Sequence, residues 1–396
     1  AFPTAEKDKL AAKVAELKAA AAPDVKAVEA AEKAVKDFPA DPAKAKAAWT
    51  KDKAGAAARA APTKIHAAPY AGKDEAAQNK ARKNFLALVM CLMVGTAGLP
   101  HILMRYYTTP SVKEARVSVF WSLFFIFLLY FTAPSLAVLV KGEVYGNLVG
   151  SSFASLPAWV SNWATVDKTL MSITDINKDG IVQLAEIVIG GDLVVLATPE
   201  IAGLPYVISG LVAAGGLAAA LSTADGLLLT IANALSHDVY YKMIDPHAPT
   251  TRRLAISKGL LLVVAVLAAY VTSLKPGDIL FLVGAAFSLA ASAFFPALAL
   301  GVFWKRANKW GAILGMSGGL GVCMYYMYMT YPFFGVNAPL WWDINPISAG
   351  IFGMPVGFAG VIIGSLLTAA PGKDVQEMVD HVRYPSLEGD IDTKAA

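Results

Sequence analysis

From residue 84 onward one long apolar run follows another, and that succession decides what the chain can fold into. Runs at 84–107, 116–140, 203–235, 254–274, 278–303, 311–331 and 347–370 are each long enough to cross the ~30 Å hydrocarbon core of a bilayer. In hydrocarbon every backbone N–H and C=O must be satisfied inside its own segment, so these seven are predicted as membrane helices. Composition agrees, with 56% hydrophobic and only 16% charged residues and a mean hydropathy of +0.52, where a soluble domain carries about a quarter charged. A single soluble globular domain is excluded.

The basic residues orient the runs. Arg105, Lys113 and Arg116 follow the first, Lys242, Arg252, Arg253 and Lys258 follow the third, and Lys305, Arg306 and Lys309 follow the fifth, so these three loops are assigned to the cytoplasm. The segment 141–202, with Glu143, Asp167, Asp175, Asp179, Glu186, Asp192 and Glu200 against three lysines, is assigned outside. Lys80, Arg82 and Lys83 at the outer end of the first run oppose this order. The alternation of the other loops outweighs them, because long segments translocate largely regardless of charge.

Residues 1–83 are a different object. They hold 17 Lys and Arg against 11 Asp and Glu, in Ala/Lys/Glu-rich stretches broken by Pro23, Pro39, Pro42, Pro62 and Pro69. Alanine, lysine and glutamate favour helix, but too few apolar residues are present to bury a core, so an external loop that is flexible or partly helical is expected. Basic charge without interleaved aromatics argues against a nucleic-acid partner. The domain reading is thus 1–83 as this loop, 84–370 as a transmembrane transporter domain and 371–396 as a cytoplasmic tail. Cys91 and Cys323 both lie in apolar runs, too few for a disulfide framework or a zinc site.

Three segments carry chemistry. GTAGLPHILMRYYT, Gly95 to Thr108, places two glycines and Pro100 in mid-membrane. Proline lacks an N–H and clashes one turn back, so the helix is expected to open there, and broken backbone at membrane depth lines a cavity or binding site. The alternative is a plain proline kink between packed helices. In the third run, AAALSTADGLLLTIANALSHDVYY holds Asp225, whose carboxylate is costly in lipid unless it faces a cavity or a partner. Ser222 and Asp225 share a helical face, and with Ala219 and Thr223 they fall within two turns, an oxygen set suited to a hard cation. The alternative is hydroxyls bonded back to their own helix and a carboxylate paired elsewhere.

The third segment is DINKDGIVQLAE, Asp175 to Glu186, which fits the calcium-loop pattern D-x-[DN]-x-[DN]-G-x₅-E at every position. Asp175, Asn177 and Asp179 would offer side-chain oxygens, Ile181 its carbonyl, Gln183 a water-bridged position and Glu186 a bidentate carboxylate, with Gly180 at the sharp turn. Val182 would pack on a second such loop. The sequence holds none, so weak affinity, about 10⁻⁴–10⁻³ M, is expected. An Asx/Gly turn is the alternative reading. No nucleophile stands beside a plausible base and no phosphate loop or pair of carboxylates has catalytic spacing, so enzyme activity is not expected.

Together with PALALGVFWKRANKWGAILGMSGG, Pro296 to Gly319, the first two segments resemble the sodium:solute symporter family, and GTAGLPHILMRYYT looks like its acetate-permease branch. The resemblance covers about residues 84–370. It implies an all-α membrane protein with a LeuT-type inverted-repeat transporter fold, here the second repeat plus peripheral helices. It further implies symport of sodium with a small organic solute, best a monocarboxylate such as acetate, across a bacterial inner (plasma) membrane. By motif match the family's main sodium site maps to Ala219, Ser222 and Thr223. Asp225 falls where some relatives hold a second sodium, leaving open sodium, a proton or neither. Gly95, Thr96, Gly98, Pro100 and His101 map to the broken helix facing substrate. The first repeat is missing from this mapping and the chain begins at Ala1, so the expected partners are the lipid bilayer, the solute and the N-terminal half of the same transporter, without which no transport is expected. A transporter-like membrane sensor of solute or calcium is the alternative function.

Overall fold

The computed structural model describes residues 72–106 and 108–383, with isolated positions between 11 and 70. Almost all of the Ala/Lys-rich segment and the end of the tail lie outside the described residues. The described chain is helical apart from one short hairpin, with six helices long and apolar enough to span a membrane and a seventh span made of a bent pair. It is an all-α membrane protein, and the seven spans fall where the apolar runs place them.

The bent pair comes first. α1 (Glu75–Gly98) and α2 (Pro100–Tyr106) meet at 42° across Leu99. Leu99 is extended, at φ −73° and ψ 115°, which is where a residue before proline is driven. Its carbonyl then accepts from Ile102 and Leu103 and starts the second helix. α1 begins nine residues before the apolar run because Asp74 caps it, accepting from the Ala77 N–H at 2.7 Å, and because the Ala/Lys/Gln sequence that follows favours helix. α3 (Val112–Leu148) has 37 residues, about 55 Å at 1.5 Å per residue, and outruns the bilayer core.

Contacts divide the chain into two units, one including Leu139–Ala197 and the other Lys64–Val138 with Thr198–Ala396. The first contains α4 (Ala158–Val166), the hairpin of β1 (Met171–Ile173) and β2 (Ile187–Ile189), and the first half of α5 (Val194–Ile201). The strands are antiparallel, with Ser172 opposite Val188.

The second unit holds the remaining helices: α6 (Tyr206–Asn233), continued by a π-helical stretch Ala234–Ile244, α7 (Thr250–Ser273), α8 (Ile279–Ala293), α9 (Phe295–Phe303), α10 (Lys309–Thr330), α11 (Gly350–Leu367) and α12 (Lys373–Arg383). Its packed part is α1, α8, α10 and α11. There is no hydrophobic drive between helices in lipid, so close approach through small residues holds them together. A Cβ on Gly315 would lie 2.6 Å from the Gly357 carbonyl, one on Gly360 2.7 Å from the Gly315 Cα, and one on Gly364 2.9 Å from the Gly311 Cα. Several buried polar groups are satisfied internally, although the Ser348 Oγ has no partner among the described residues. Ser288 donates to the Ile347 carbonyl at 2.6 Å, Ser292 to the Ser288 carbonyl at 2.8 Å, and the Tyr326 hydroxyl to the Ile344 carbonyl at 2.5 Å. Cys91 and Cys323 are buried free thiols in this block.

Candidate functional site

The break in the first span has two unlike sides. Gly95 and Gly98 are buried against α8: a Cβ on Gly95 would collide with the Phe287 carbonyl, and one on Gly98 would lie 3.0 Å from the Ala290 carbonyl. These glycines let two backbones touch. Thr96 faces the other way, exposed, with its hydroxyl bonded back to the Leu92 carbonyl at 2.6 Å. Pro100 and His101 are half-buried, and the His101 Nδ1 atom is enclosed with no hydrogen-bond partner. An enclosed ring nitrogen without a partner is costly, so this is the polar atom at the break that a further group would satisfy.

The four oxygen-bearing positions of the third span all lie on α6 and are exposed. Thr223 donates back to the Ala219 carbonyl at 3.2 Å, which is the helix-internal alternative that short hydroxyl side chains always have. Ser222 and Asp225 make no hydrogen bond or ion pair among the described residues. α2 packs on α6, and Arg105 reaches it at Gly226, where a Cβ would lie 3.1 Å from a guanidinium nitrogen. Broken helix and hydroxyl-bearing helix are therefore neighbours through α2, although the oxygens of α6 have no second element facing them. Arg105 counted in the sequence only as a marker of orientation; its place beside Gly226 has no signature in the residue pattern.

Beyond Asp225, toward the end of α6 assigned to the cytoplasm, lies an open cavity of about 970 Å³. Met104 of α2, Thr230 and Asn233 of α6, His237 and Lys242 of the π-helical stretch and Arg253 of α7 contribute to its wall. π-helical widening is frequent at functional sites, and here it turns the polar residues after Asn233 toward the cavity.

In the other unit, the loop Asp175–Glu186 closes on itself. The Asp175 carboxylate accepts from the Lys178 and Gly180 amides at 2.6 and 3.0 Å, and Glu186 from the Ile176 and Gln183 amides at 2.7 and 3.0 Å. Asp179 accepts from the Ile181 amide at 2.8 Å, and from the Asn177 and Gln183 side-chain amides, which holds its carboxyl below the ordinary value. Lys178 and Gly180 have φ of 62° and 73°, the left-handed turn that glycine at the sixth loop position serves. Val182 is fully buried, and its partner is not a second loop. Its N–H donates to the Ser151 carbonyl and its carbonyl accepts from Gly150, both at 2.8 Å. Among the described residues no three His, Cys, Asp or Glu side chains converge closely enough to hold a metal. The donor set is nonetheless all hard oxygen, the chemistry calcium requires.

A membrane helix broken before a proline thus lies beside a helix carrying the Ser222 hydroxyl and Asp225 carboxylate, both unbonded among the described residues. The chain belongs to the sodium:solute symporter family, whose model matches residues 50–166 and 188–319. The gap in that match, 167–187, is the stretch holding β1 and the Asp175–Glu186 loop. The chain is 54% identical over 382 residues to an uncharacterized symporter of Cupriavidus necator, covering 96% of this chain and 56% of the relative. It is 27% identical over 313 residues to a monocarboxylic acid transporter of Corynebacterium glutamicum, covering 77% of this chain and 50% of the relative. The chain thus spans about half the length of the curated relatives it matches. No solved structure matches it. Its spans and its bacterial relatives make it a multi-pass protein of the plasma membrane.

Proposed function

We propose that the chain forms part of a sodium-coupled symporter for a small monocarboxylate such as acetate. The observation that carries this reading is the break at Leu99, set through α2 beside the α6 segment with Ser222, Thr223 and Asp225. Family membership supports sodium as the coupling ion, and the name of the Corynebacterium relative supports the substrate class.

In the proposed mechanism sodium binds the Ala219 carbonyl and the Ser222 and Thr223 hydroxyls. This requires Thr223 to release the Ala219 carbonyl it now bonds. Asp225, next along the same helix, takes a second sodium or a proton. Solute binds at Gly95–His101, where Thr96 and His101 offer polar atoms and Gly95 and Gly98 fix the broken helix on α8. Release follows through the open cavity bounded by Lys242 and Arg253. The remaining oxygens and the opposite wall come from a further helical part of the same transporter, which is the partner we assign to the open face of α6. Ser222→Ala combined with Thr223→Ala in the complete transporter is expected to abolish sodium-dependent acetate uptake into proteoliposomes. Unchanged sodium activation would remove the assignment.

The Asp175–Glu186 loop is proposed to bind calcium through Asp175, Asn177, Asp179, the Ile181 carbonyl, Gln183 and Glu186, with the weak affinity of an unpaired external site, about 10⁻⁴–10⁻³ M. The fit to the loop pattern at every position supports it. Terbium luminescence titrated against the detergent-solubilised chain is expected to saturate in that range and to vanish in Glu186→Gln. No signal at tens of millimolar would refute the site.

A further inference from the structure

Five residues after α11 ends, the chain enters α12, whose apolar residues Val375, Met378, Val379 and Val382 recur at the three- and four-residue spacing of a single helical stripe. Lys373, Asp374, Glu377 and His381 occupy the opposite face. Most of the stripe is uncovered: Val375 is 43% exposed, Met378 60% and Val382 53%, while Val379 is half-buried. The helix is nevertheless held in place from its flank. Asp380 pairs with Lys305 at 2.6 Å, and the Arg383 guanidinium lies 5.7 Å from the centre of the Phe303 ring, both contacts falling where α9 ends.

We propose that α12 is an interfacial helix lying on the bilayer surface, its Val375, Met378 and Val382 stripe seated in the glycerol and upper acyl region of the leaflet. Its level in the membrane argues for lipid as the occupant. The point at which Asp380 anchors it is the loop carrying Lys305, Arg306 and Lys309 between Trp304 and Trp310, and indoles and basic side chains of this kind mark the edge of the hydrocarbon. Beneath it, Val375 and Val379 join Ala297, Gly301 and Trp310 around a mainly apolar groove of about 780 Å³ bordered by α9 and α10. An amphipathic helix held at that depth buries its apolar stripe in lipid and leaves its charges in water.

The charge pattern sharpens the proposal. α12 carries Asp374, Glu377 and Asp380 against Lys373 and Arg383, so anionic lipid does not attract it and apolar burial is the driving force. Seating is therefore expected in zwitterionic and anionic bilayers alike.

The test uses the full chain with Cys91 and Cys323 replaced by alanine, carrying Met378→Cys or Glu377→Cys, labelled with an environment-sensitive fluorophore and reconstituted in phosphatidylcholine vesicles. The label at 378 is expected to emit at shorter wavelength than that at 377. It is also expected to be quenched several-fold more by lipids brominated near the glycerol, with the same result when a third of the lipid is phosphatidylglycerol. Equal, water-like emission at both positions would overturn the proposal. So would a shielded label at 378 that brominated lipid does not quench, since a protein surface would then be the cover. Should the cysteine variants fail to fold, hydrogen exchange in nanodiscs decides. Met378→Asp with Val382→Asp is expected to speed amide exchange across 373–383 at least tenfold and leave α10 and α11 unchanged; no acceleration overturns the proposal.

Discussion

The helix pair α10–α11 and the helix α6 are made of much the same residues and have opposite fates. Both are rich in glycine and alanine. In α10 and α11 the glycines recur at Gly311, Gly315 and Gly319 and at Gly353, Gly357, Gly360 and Gly364, and each has a backbone or buried side chain of another helix where its Cβ would be. In α6 the Gly210 and Gly215 positions open onto space, and none of the membrane-length window of α6 or α7 is buried. Small residues are therefore a licence for close packing that a partner must take up. In α10–α11 the partner is in hand, and in α6 the same small residues lie uncovered among the described residues.

The comparison can be broken by substitution. Gly315→Ala should have the largest effect, costing about 3 kcal/mol, because its methyl meets backbone that cannot rotate away. Thermal unfolding in detergent measures it, and a neutral result would dissolve the distinction between the two regions. Gly95→Ala should cost nearly as much in the same assay, through the Phe287 carbonyl, if its role is to dock α1 on α8. Gly215→Ala should leave this chain as stable or raise it by up to ~1 kcal/mol through helix propensity. If a further part of the proposed symporter covers α6, the same change becomes unfavourable there, and the size of that reversal reports how closely the face is covered.

The smallest effect concerns the outer end of the packed block, where Lys80 pairs with Asp343 at 2.9 Å and Asn84 donates to the Asp343 carbonyl at 2.8 Å while accepting from the Asn345 N–H at 2.7 Å. The Lys80 ammonium holds the Asp343 carboxyl below its ordinary range. A depressed carboxylate stabilises the fold above its unfolded value and loses that contribution as pH falls through the folded one. Asp343→Asn should therefore match wild type in acid below both values and be slightly less stable at neutral pH, by no more than a degree in Tm.

Much of this was legible in the residues, for identifiable reasons. The bilayer leaves the backbone no choice but helix, so the spans could be counted from apolar length alone. The break at Leu99 could be placed from Pro100 with its neighbouring glycines, whereas Pro134 in α3 and Pro355 in α11 sit inside unbroken helices, so proline alone does not settle the outcome. What glycine does there could not, because Gly95 and Gly98 look alike whether they clear room for a ligand or for the Phe287 and Ala290 carbonyls. The start of α1 was set too late at 84 because hydropathy reports where lipid ends and not where hydrogen bonding ends. The sequence offered Val182 no second loop to pair with, and its actual partner, Gly150–Ser151, carries none of the pattern by which such a loop is recognised. Within the tail assigned from 371 the helix Lys373–Arg383 was not anticipated, because eleven residues are too few for periodicity to stand out in a chain so apolar.

The break at Leu99 has one more consequence, and it is mechanical. Upstream of it α1 is bolted to α8; downstream α2 touches α6. One strand of backbone thus leaves a rigid frame and joins a different lever within the width of a single residue. An unbroken rod would carry any tilt of that lever into the frame, whereas a tilt of α6 passed through α2 would meet the extended φ and ψ of Leu99 before it reached the glycine seam.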